Sequence, residues 1–154
     1  RQALFAALQR REVYATSGTR IKLRLHQTFA QPSAINCESL PSHSTPMGGT
    51  FASTKESAKP TFIIQAMQDR TPLAAIDLIK LRQNSEGVEQ KVIRLGEYPT
   101  GQTNSCIVWT DHNYTKSENA LWYVRVLEQP TQRWDQKSSI QERAWSSPIW
   151  SAAH

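Results

Sequence analysis

Four histidines are the residues of this chain best suited to hold a catalytic metal ion, because metallohydrolases bind their metals through clustered His, Asp and Glu side chains. They are His26, His43, His112 and His154. No two of them stand at the His-x-His or His-x-x-x-His spacings that place two ligands on one metal. Asp111 beside His112 comes nearest to a ligand pair. The sequence therefore predicts surface histidines, and no metal or other cofactor bound by this chain.

A nucleophile with an activating base is no easier to find. Ser146 and Ser147 lie outside any Gly-x-Ser-x-Gly motif. Ser17-Gly18 follows a predicted helix, whereas a phosphate-binding loop precedes one. These patterns predict no reaction that the chain would catalyse alone.

Two arginines stand among apolar residues. Arg125 interrupts the most apolar predicted strand, where an unpaired charge would be costly. Either its face of the strand is exposed, or it pairs with a carboxylate such as Glu128 or Glu142, and a structural ion pair is favoured over substrate binding. Arg143, between Glu142 and Trp145, is expected to stack on an aromatic face or to hold a carbonyl of another domain.

The composition is that of one folded domain. The chain has 154 residues, of which 38% are hydrophobic, and this length can bury a sizeable core. The net charge of +5 comes from basic residues scattered between apolar ones, as on solvated strand faces, so nucleic-acid binding is not expected. No apolar run reaches the ~18–20 residues of a membrane span.

One helix followed by strands should position these residues. Residues 1–11 carry apolar side chains at the i, i+3, i+4 spacing of a helix face, but no N-cap residue precedes them, as at a helix interior or a domain junction. Alternating or continuous apolar patterns then predict strands at 21–25, 61–67, 76–81, 89–95, 105–110 and 121–127. Because no helices separate these strands, the pattern favours a mainly β fold, an antiparallel β-sandwich.

The end of the chain and the two cysteines add long-range constraints. Residues 141–154 hold Trp145, Ile149 and Trp150 around a Ser-Ser-Pro step, which predicts an aromatic tail docked against the sandwich. Cys37 and Cys106 are too few for a disulfide scaffold. They form either one bridge, worth about 3–4 kcal/mol in an oxidising compartment, or two separate buried thiols.

Several segments together carry a family resemblance. In chain order they are Ala6 to Gly18 (AALQRREVYATSG) with Arg20-Ile21, Pro46-Met-Gly-Gly49, Trp122 to Glu128 (WYVRVLE), Pro130-Thr131 with Arg133-Trp134, and Gln141 to Trp150 (QERAWSSPIW). With them the chain resembles the C-terminal part of a bacterial family, the domain of unknown function 3604. That family is similar to the PHP (polymerase and histidinol phosphatase) metallohydrolases.

The resemblance implies a parent protein with an N-terminal (β/α) barrel that holds a divalent metal through His and Asp residues. Residues 1–18 would then be the barrel's terminal helix and linker, and residues 19–154 an accessory β-sandwich domain with its tail. Asp111-His112 departs from the Asp-Pro expected there. Because such proteins are often exported, the resemblance also implies a periplasmic or secreted location and favours the Cys37–Cys106 bridge.

Two hypotheses follow for function. The first is a non-catalytic C-terminal domain that stabilises or caps the barrel of a PHP-like metal-dependent hydrolase, which would be its partner. Five residues are expected to face the barrel or a substrate anion: Tyr14, Thr16, Arg143, Ser146 and Ser147. The alternative is a free-standing module that binds carbohydrate or another polymer through exposed, coplanar tryptophans on one sandwich face.

Overall fold

The computed structural model describes residues 1–53, 55 and 57–152, so the predicted surface position of His154 lies outside the described residues. Within this part of the chain, α1 spans Gln2–Gln9 and a short 3-10 turn spans Pro32–Ala34. The strands are β1 (Tyr14–Thr16), β2 (Lys22–Thr28), β3 (Thr45–Pro46), β4 (Thr50–Phe51), β5 (Thr61–Met67), β6 (Leu73–Asn84), β7 (Gly87–Gln102), β8 (Asn104–Thr110), β9 (Ala120–Glu128), β10 (Thr131–Gln132), β11 (Ser139–Ile140), β12 (Arg143–Ser146) and β13 (Ile149–Ser151).

Two sheets form a sandwich. In the larger sheet β9 has β6 and then β7 on one side, and β12 and β13 on the other. β1 pairs with β12, and β4 pairs with β13 in parallel. The smaller sheet has the antiparallel order β3-β2-β5-β8, and β10 and β11 form a separate hairpin. The predicted antiparallel β-sandwich with an N-terminal helix and a docked aromatic tail is confirmed.

Strand β9 shows how the sequence places the core between the sheets. Along Ala120–Glu128 the even-numbered residues are buried, and the odd-numbered residues are only partly buried. Trp122, Val124 and Val126 belong to the same buried cluster as Phe62 of the smaller sheet. This period of two is that of a strand with one packed face.

The β6–β7 hairpin extends well beyond the predicted strands 76–81 and 89–95. Most of β7 is exposed and polar, so no apolar pattern marks its ends. Pairing with β6 holds it in the sheet from Gly87 to Glu97 and again at Gln102, with a register shift between them. Gly87, at φ +132°, begins β7 directly after the two residues that follow β6.

The aromatic tail docks by strand pairing. β12 and β13 both pair with β9, and Ile149 is fully buried. Ser147-Pro148 separates the two strands, as expected of proline, which has no N–H for a sheet ladder. The tail is therefore a structural part of the larger sheet.

A disulfide joins Cys37, in the loop before β3, to Cys106 of β8. Cys106 pairs across strands with Gln65 of β5, whose side-chain amide donates to the Cys37 carbonyl. The bridge thus fastens the loop over the smaller sheet, in a part of the chain that holds little regular structure of its own.

Replacing both cysteines, Cys37→Ser with Cys106→Ser, should lower the free energy of unfolding by about 4 kcal/mol, because the bridge closes a loop of 69 residues in the unfolded chain. Denaturant unfolding with and without a reducing agent measures this loss. The reductant should destabilise only the parent protein. Equal unfolding midpoints for parent and double variant would contradict the prediction.

Candidate functional site

Three segments meet where α1 ends. The Gly48 N–H donates to the Pro148 carbonyl at 2.8 Å, and the Ser147 N–H donates to the Val13 carbonyl at 3.0 Å. Gly48 has φ +88°, and a Cβ atom there would collide with the Arg11 carbonyl. Glycine is therefore required at position 48, where the turn, the helix end and the tail are in close contact.

The body of α1 makes no such contacts. Its side chains Leu4, Phe5 and Leu8 are 66%, 62% and 54% exposed, and none of its residues is buried. Beyond its end, the Arg11 guanidinium lies over the Trp150 ring at 4.7 Å. The helix is thus tied to the tail at one end while its apolar side chains face solvent.

The tail tryptophans lie on the face of the larger sheet that points away from the core. Trp145 is the cross-strand neighbour of Arg125, and Trp150 that of Leu121. All four side chains are partly buried. We call this face, together with the exposed side chains of α1, the helix–tail surface; its apolar members are Leu4, Phe5, Leu8, Trp145 and Trp150.

Pairing of β1 with β12 brings the five predicted contact residues together. Tyr14 and Arg143 are exposed, and Thr16 and Ser147 are partly exposed. The Arg143 backbone N–H donates to the Ser17 hydroxyl oxygen at 2.9 Å, but the Arg143 guanidinium has no ion pair or hydrogen bond within the described chain. These four residues remain accessible to a neighbouring domain.

Ser146 differs from the expectation that it faces such a domain. It is only 7% exposed, and its hydroxyl accepts the Val124 N–H of β9 at 2.9 Å. This hydrogen bond stands where the β12–β9 ladder ends and Pro148 follows. The Ser146 hydroxyl therefore satisfies a buried backbone N–H group. The sequence does not indicate this, because Ser146 and Val124 belong to different strands.

Arg125 forms the expected structural ion pair, but its partner is Asp77 and not Glu128 or Glu142. Its Nη2 lies 2.8 Å from Asp77 Oδ2, and Arg94 pairs with the other Asp77 oxygen. Asp77 is the direct cross-strand neighbour of Arg125. Glu128, three residues farther along β9, points to the opposite face of the strand.

A second cluster surrounds Lys80, at the end of the core. Its Nζ lies 2.8 Å from both Asp111 Oδ2 and Glu118 Oε2, and 5.1 Å from the centre of the Trp122 ring. The Trp122 indole N–H also donates to Asp111, at 3.2 Å. Lys80 is 6% exposed, and its contacts with these carboxylates offset the desolvation of its ammonium group.

Beside this cluster lies a cavity of about 260 Å³. It is lined by Lys80, Arg82, Glu89, Lys91, Ile93, Trp109, Asp111 and Asn113. Lys80 was missed in the sequence, although it follows the buried residues Ile76 and Leu78 at the same period of two. Asp111, which with His112 comes nearest to a metal-ligand pair in the sequence, binds the Lys80 ammonium.

Glu128, the last residue of β9, carries an almost fully buried carboxylate. The Thr19 hydroxyl donates to its Oε1 at 3.0 Å, and the Asp69 N–H approaches the same oxygen at 3.4 Å. Burial raises the pKa of Glu128 above its ordinary value, and the negative charges of Asp69 and Glu142 raise it further, while the two hydrogen bonds oppose the shift.

Three of the four histidines, His26, His43 and His112, lie within the described residues. His43 and His112 are exposed, as expected, whereas His26 is half-buried with Nδ1 3.3 Å from the Ser44 hydroxyl. Burial, with the nearby Arg24, lowers the pKa of His26. Among residues 1–53, 55 and 57–152, no group of three or more His, Cys, Asp or Glu side chains could hold a metal ion.

A family model described as "Protein of unknown function (DUF3604)" matches residues 1–96 and 80–153. The chain belongs to this family. No curated protein and no solved structure matches it. The description of the DUF3604 family names no reaction or ligand. Among the described residues, no helix of this DUF3604 member is long and apolar enough to cross a membrane.

Ser146→Ala should destabilise this DUF3604 chain by roughly 1–3 kcal/mol, because it leaves the buried Val124 N–H without an acceptor. Ser147→Ala is the matched control and should change stability by less than about 0.5 kcal/mol. Denaturant unfolding of both variants measures the difference. Equal effects would show that the Ser146 hydroxyl is not needed by β9.

Ionisation of Glu128 should lower the free energy of unfolding as the pH rises, and Glu128→Gln should remove this effect. At low pH the Glu128 carboxyl is protonated in both folded and unfolded chains and carries no penalty. Its raised folded-state pKa means that stability falls as the pH rises through its ordinary value and then through the raised value. Urea unfolding from acid to neutral pH should therefore show the variant gaining relative to the parent. An exposed control, Glu86→Gln, should show no such trend.

Proposed function

We propose that this chain is a non-catalytic β-domain that stabilises or caps a metal-dependent hydrolase domain of the same protein. The observation that carries the proposal is the apolar, unburied body of α1. A helix of eight residues is shorter than the ~12–15 residues needed for stability in water, and packing normally supplies what such a helix lacks. Within the described chain this helix buries none of its residues, and its large apolar side chains stay exposed.

The rest of the helix–tail surface supports a protein partner. Arg11 stacked on Trp150 makes the exposed helix continuous with the aromatic face of the larger sheet. Trp and Arg are the residue types enriched at the centres of protein interfaces. Arg143 adds an unpaired guanidinium, which can hold a carbonyl or a carboxylate of the partner.

The catalytic chemistry would belong to that neighbouring domain. The resemblance to PHP metallohydrolases implies a (β/α) barrel with a His/Asp metal site, placed before this domain in the parent protein. The residues of this chain would then orient the barrel's loops and exclude water from the interface. Tyr14, Thr16, Arg143 and Ser147 are the accessible contact residues, and nucleic acid is not a proposed partner.

We also propose that the parent protein works outside the cytoplasm. The Cys37–Cys106 disulfide supports this location, because such bridges form and persist in oxidising compartments.

Glutamate at the three exposed helix positions, in the variant Leu4→Glu/Phe5→Glu/Leu8→Glu, should abolish association with the metal-binding domain of a DUF3604 protein. Charged side chains cannot be desolvated at an apolar interface without a partner. Isothermal titration calorimetry between the two separately purified proteins measures binding. Hydrogen exchange at residues 2–9 should also be fast in the chain alone and slowed in the complex.

The matched control is Val88→Glu, which changes a 70% exposed apolar residue at the start of β7. That strand lies on the other side of the larger sheet from β1, so binding should be unchanged. The proposal fails if the parent chain does not bind the metal-binding domain, or if the triple variant binds as tightly as the parent chain.

A further inference from the structure

The cavity beside Lys80 has the size and walls of a small-ligand site. Its volume of about 260 Å³ is below the roughly 300–1,000 Å³ of sites for drug-sized ligands. Trp109 and Ile93 provide an apolar wall, and the other lining residues are polar or charged. An aromatic wall opposite hydrogen-bonding groups suits a ligand that has both a C–H face and hydroxyl groups.

The polar wall is held rigid by groups outside the cavity. Asp111 receives the Lys80 ammonium and the Trp122 indole N–H on Oδ2, and the backbone N–H of Asn113 on Oδ1 at 3.1 Å. Glu118 neutralises Lys80 from behind. A preorganised wall of this kind lowers the entropy lost when a ligand binds.

Two lining groups are available to a ligand. Lys91 is the direct cross-strand neighbour of Lys80, but its ammonium has no carboxylate partner within the described chain. The Asn113 side-chain amide has no hydrogen-bond partner within the described chain either. Arg82, in contrast, is paired with Glu89 at 2.6 Å. Lys91 therefore offers the cavity one cation that is not already neutralised.

Counting charges limits the ligand further. Lys80, Arg82 and Lys91 carry three positive charges, and Glu89, Asp111 and Glu118 carry three negative ones, so the whole site is close to neutral. All three carboxylates pair with Lys80 or Arg82, which leaves Lys91 as the cation without a direct partner. A dianion such as phosphate would meet two lining carboxylates and leave the Trp109 wall unused. A ligand with a single negative charge can instead place it at Lys91 without that repulsion.

We propose that this cavity binds one hexuronate unit, a sugar ring that carries one carboxylate. The carboxylate pairs with Lys91, the ring's C–H face packs on Trp109, and the hydroxyls bond to the Asn113 amide and the lining carboxylates. This site lies apart from the helix–tail surface and does not depend on the domain-capping role.

Titration of the complete chain with D-glucuronate, D-glucose and inorganic phosphate tests the proposal, with calorimetry for affinity and the Trp109 indole resonance for location. Glucuronate should bind saturably, and glucose about tenfold more weakly, since it lacks the charge-assisted bond. Lys91→Met should weaken glucuronate binding by about tenfold and leave glucose binding unchanged. Asn113→Ala should weaken both, and phosphate should not bind.

Lys91 and Asn113 are exposed, so neither variant should disturb folding, and Lys137→Met on the β10–β11 hairpin is the matched control. An absence of saturable glucuronate binding would overturn the proposal. So would equal weakening by Lys91→Met and Lys137→Met, equal affinity for glucose and glucuronate, or binding of phosphate as tight as that of glucuronate.

Discussion

The pairing of β9 on both of its edges is the constraint on which the larger sheet depends. β6 occupies one edge, and β12 and β13 share the other. Where the tail strands end, side chains replace the missing ladder bonds: Ser146 accepts the Val124 N–H, and Ser151 accepts the Ala120 N–H at 2.9 Å. The tail strands are therefore integral to the larger sheet, like the β6–β7 hairpin on the opposite edge of β9.

The same sheet carries buried charges on both faces. Asp77 and Lys80 are three residues apart on β6, so they point to opposite faces. Asp77 is neutralised by Arg94 and Arg125 on the outer face, and Lys80 by carboxylates from the segment after β8 on the inner face. Because a buried charge is costly without its partner, these contacts favour a single register of β6.

This arrangement separates two surfaces that could act independently. The helix–tail surface lies at the β1 and β12 side of the larger sheet, whereas the cavity opens beside the β6–β7 hairpin on the other side. A domain docked on α1 would leave Lys91 and Asn113 accessible. One fold can therefore both cap a neighbouring domain and bind a small acidic ligand.

The sequence by itself determined the elements with a strong local signal. Residues 61–67 form the predicted strand, residues 121–127 lie within β9, and the helix was expected where α1 stands. Arg143, which the sequence predicts as a contact residue, is exposed, and its role at an interface stays a prediction. The ends of β7 could not be predicted, because its polar, exposed residues have no periodicity to mark them.

Only the tertiary structure decided which distant residues meet. The partner of Arg125, the burial of Ser146, the joining of Cys37 to Cys106 and the cluster around Lys80 all depend on strand order and register. Periodicity tells which face of a strand is buried, but the partners across that face come from segments far apart in the chain. Their proximity is set by the free energy of the whole sandwich, which no short stretch of sequence contains.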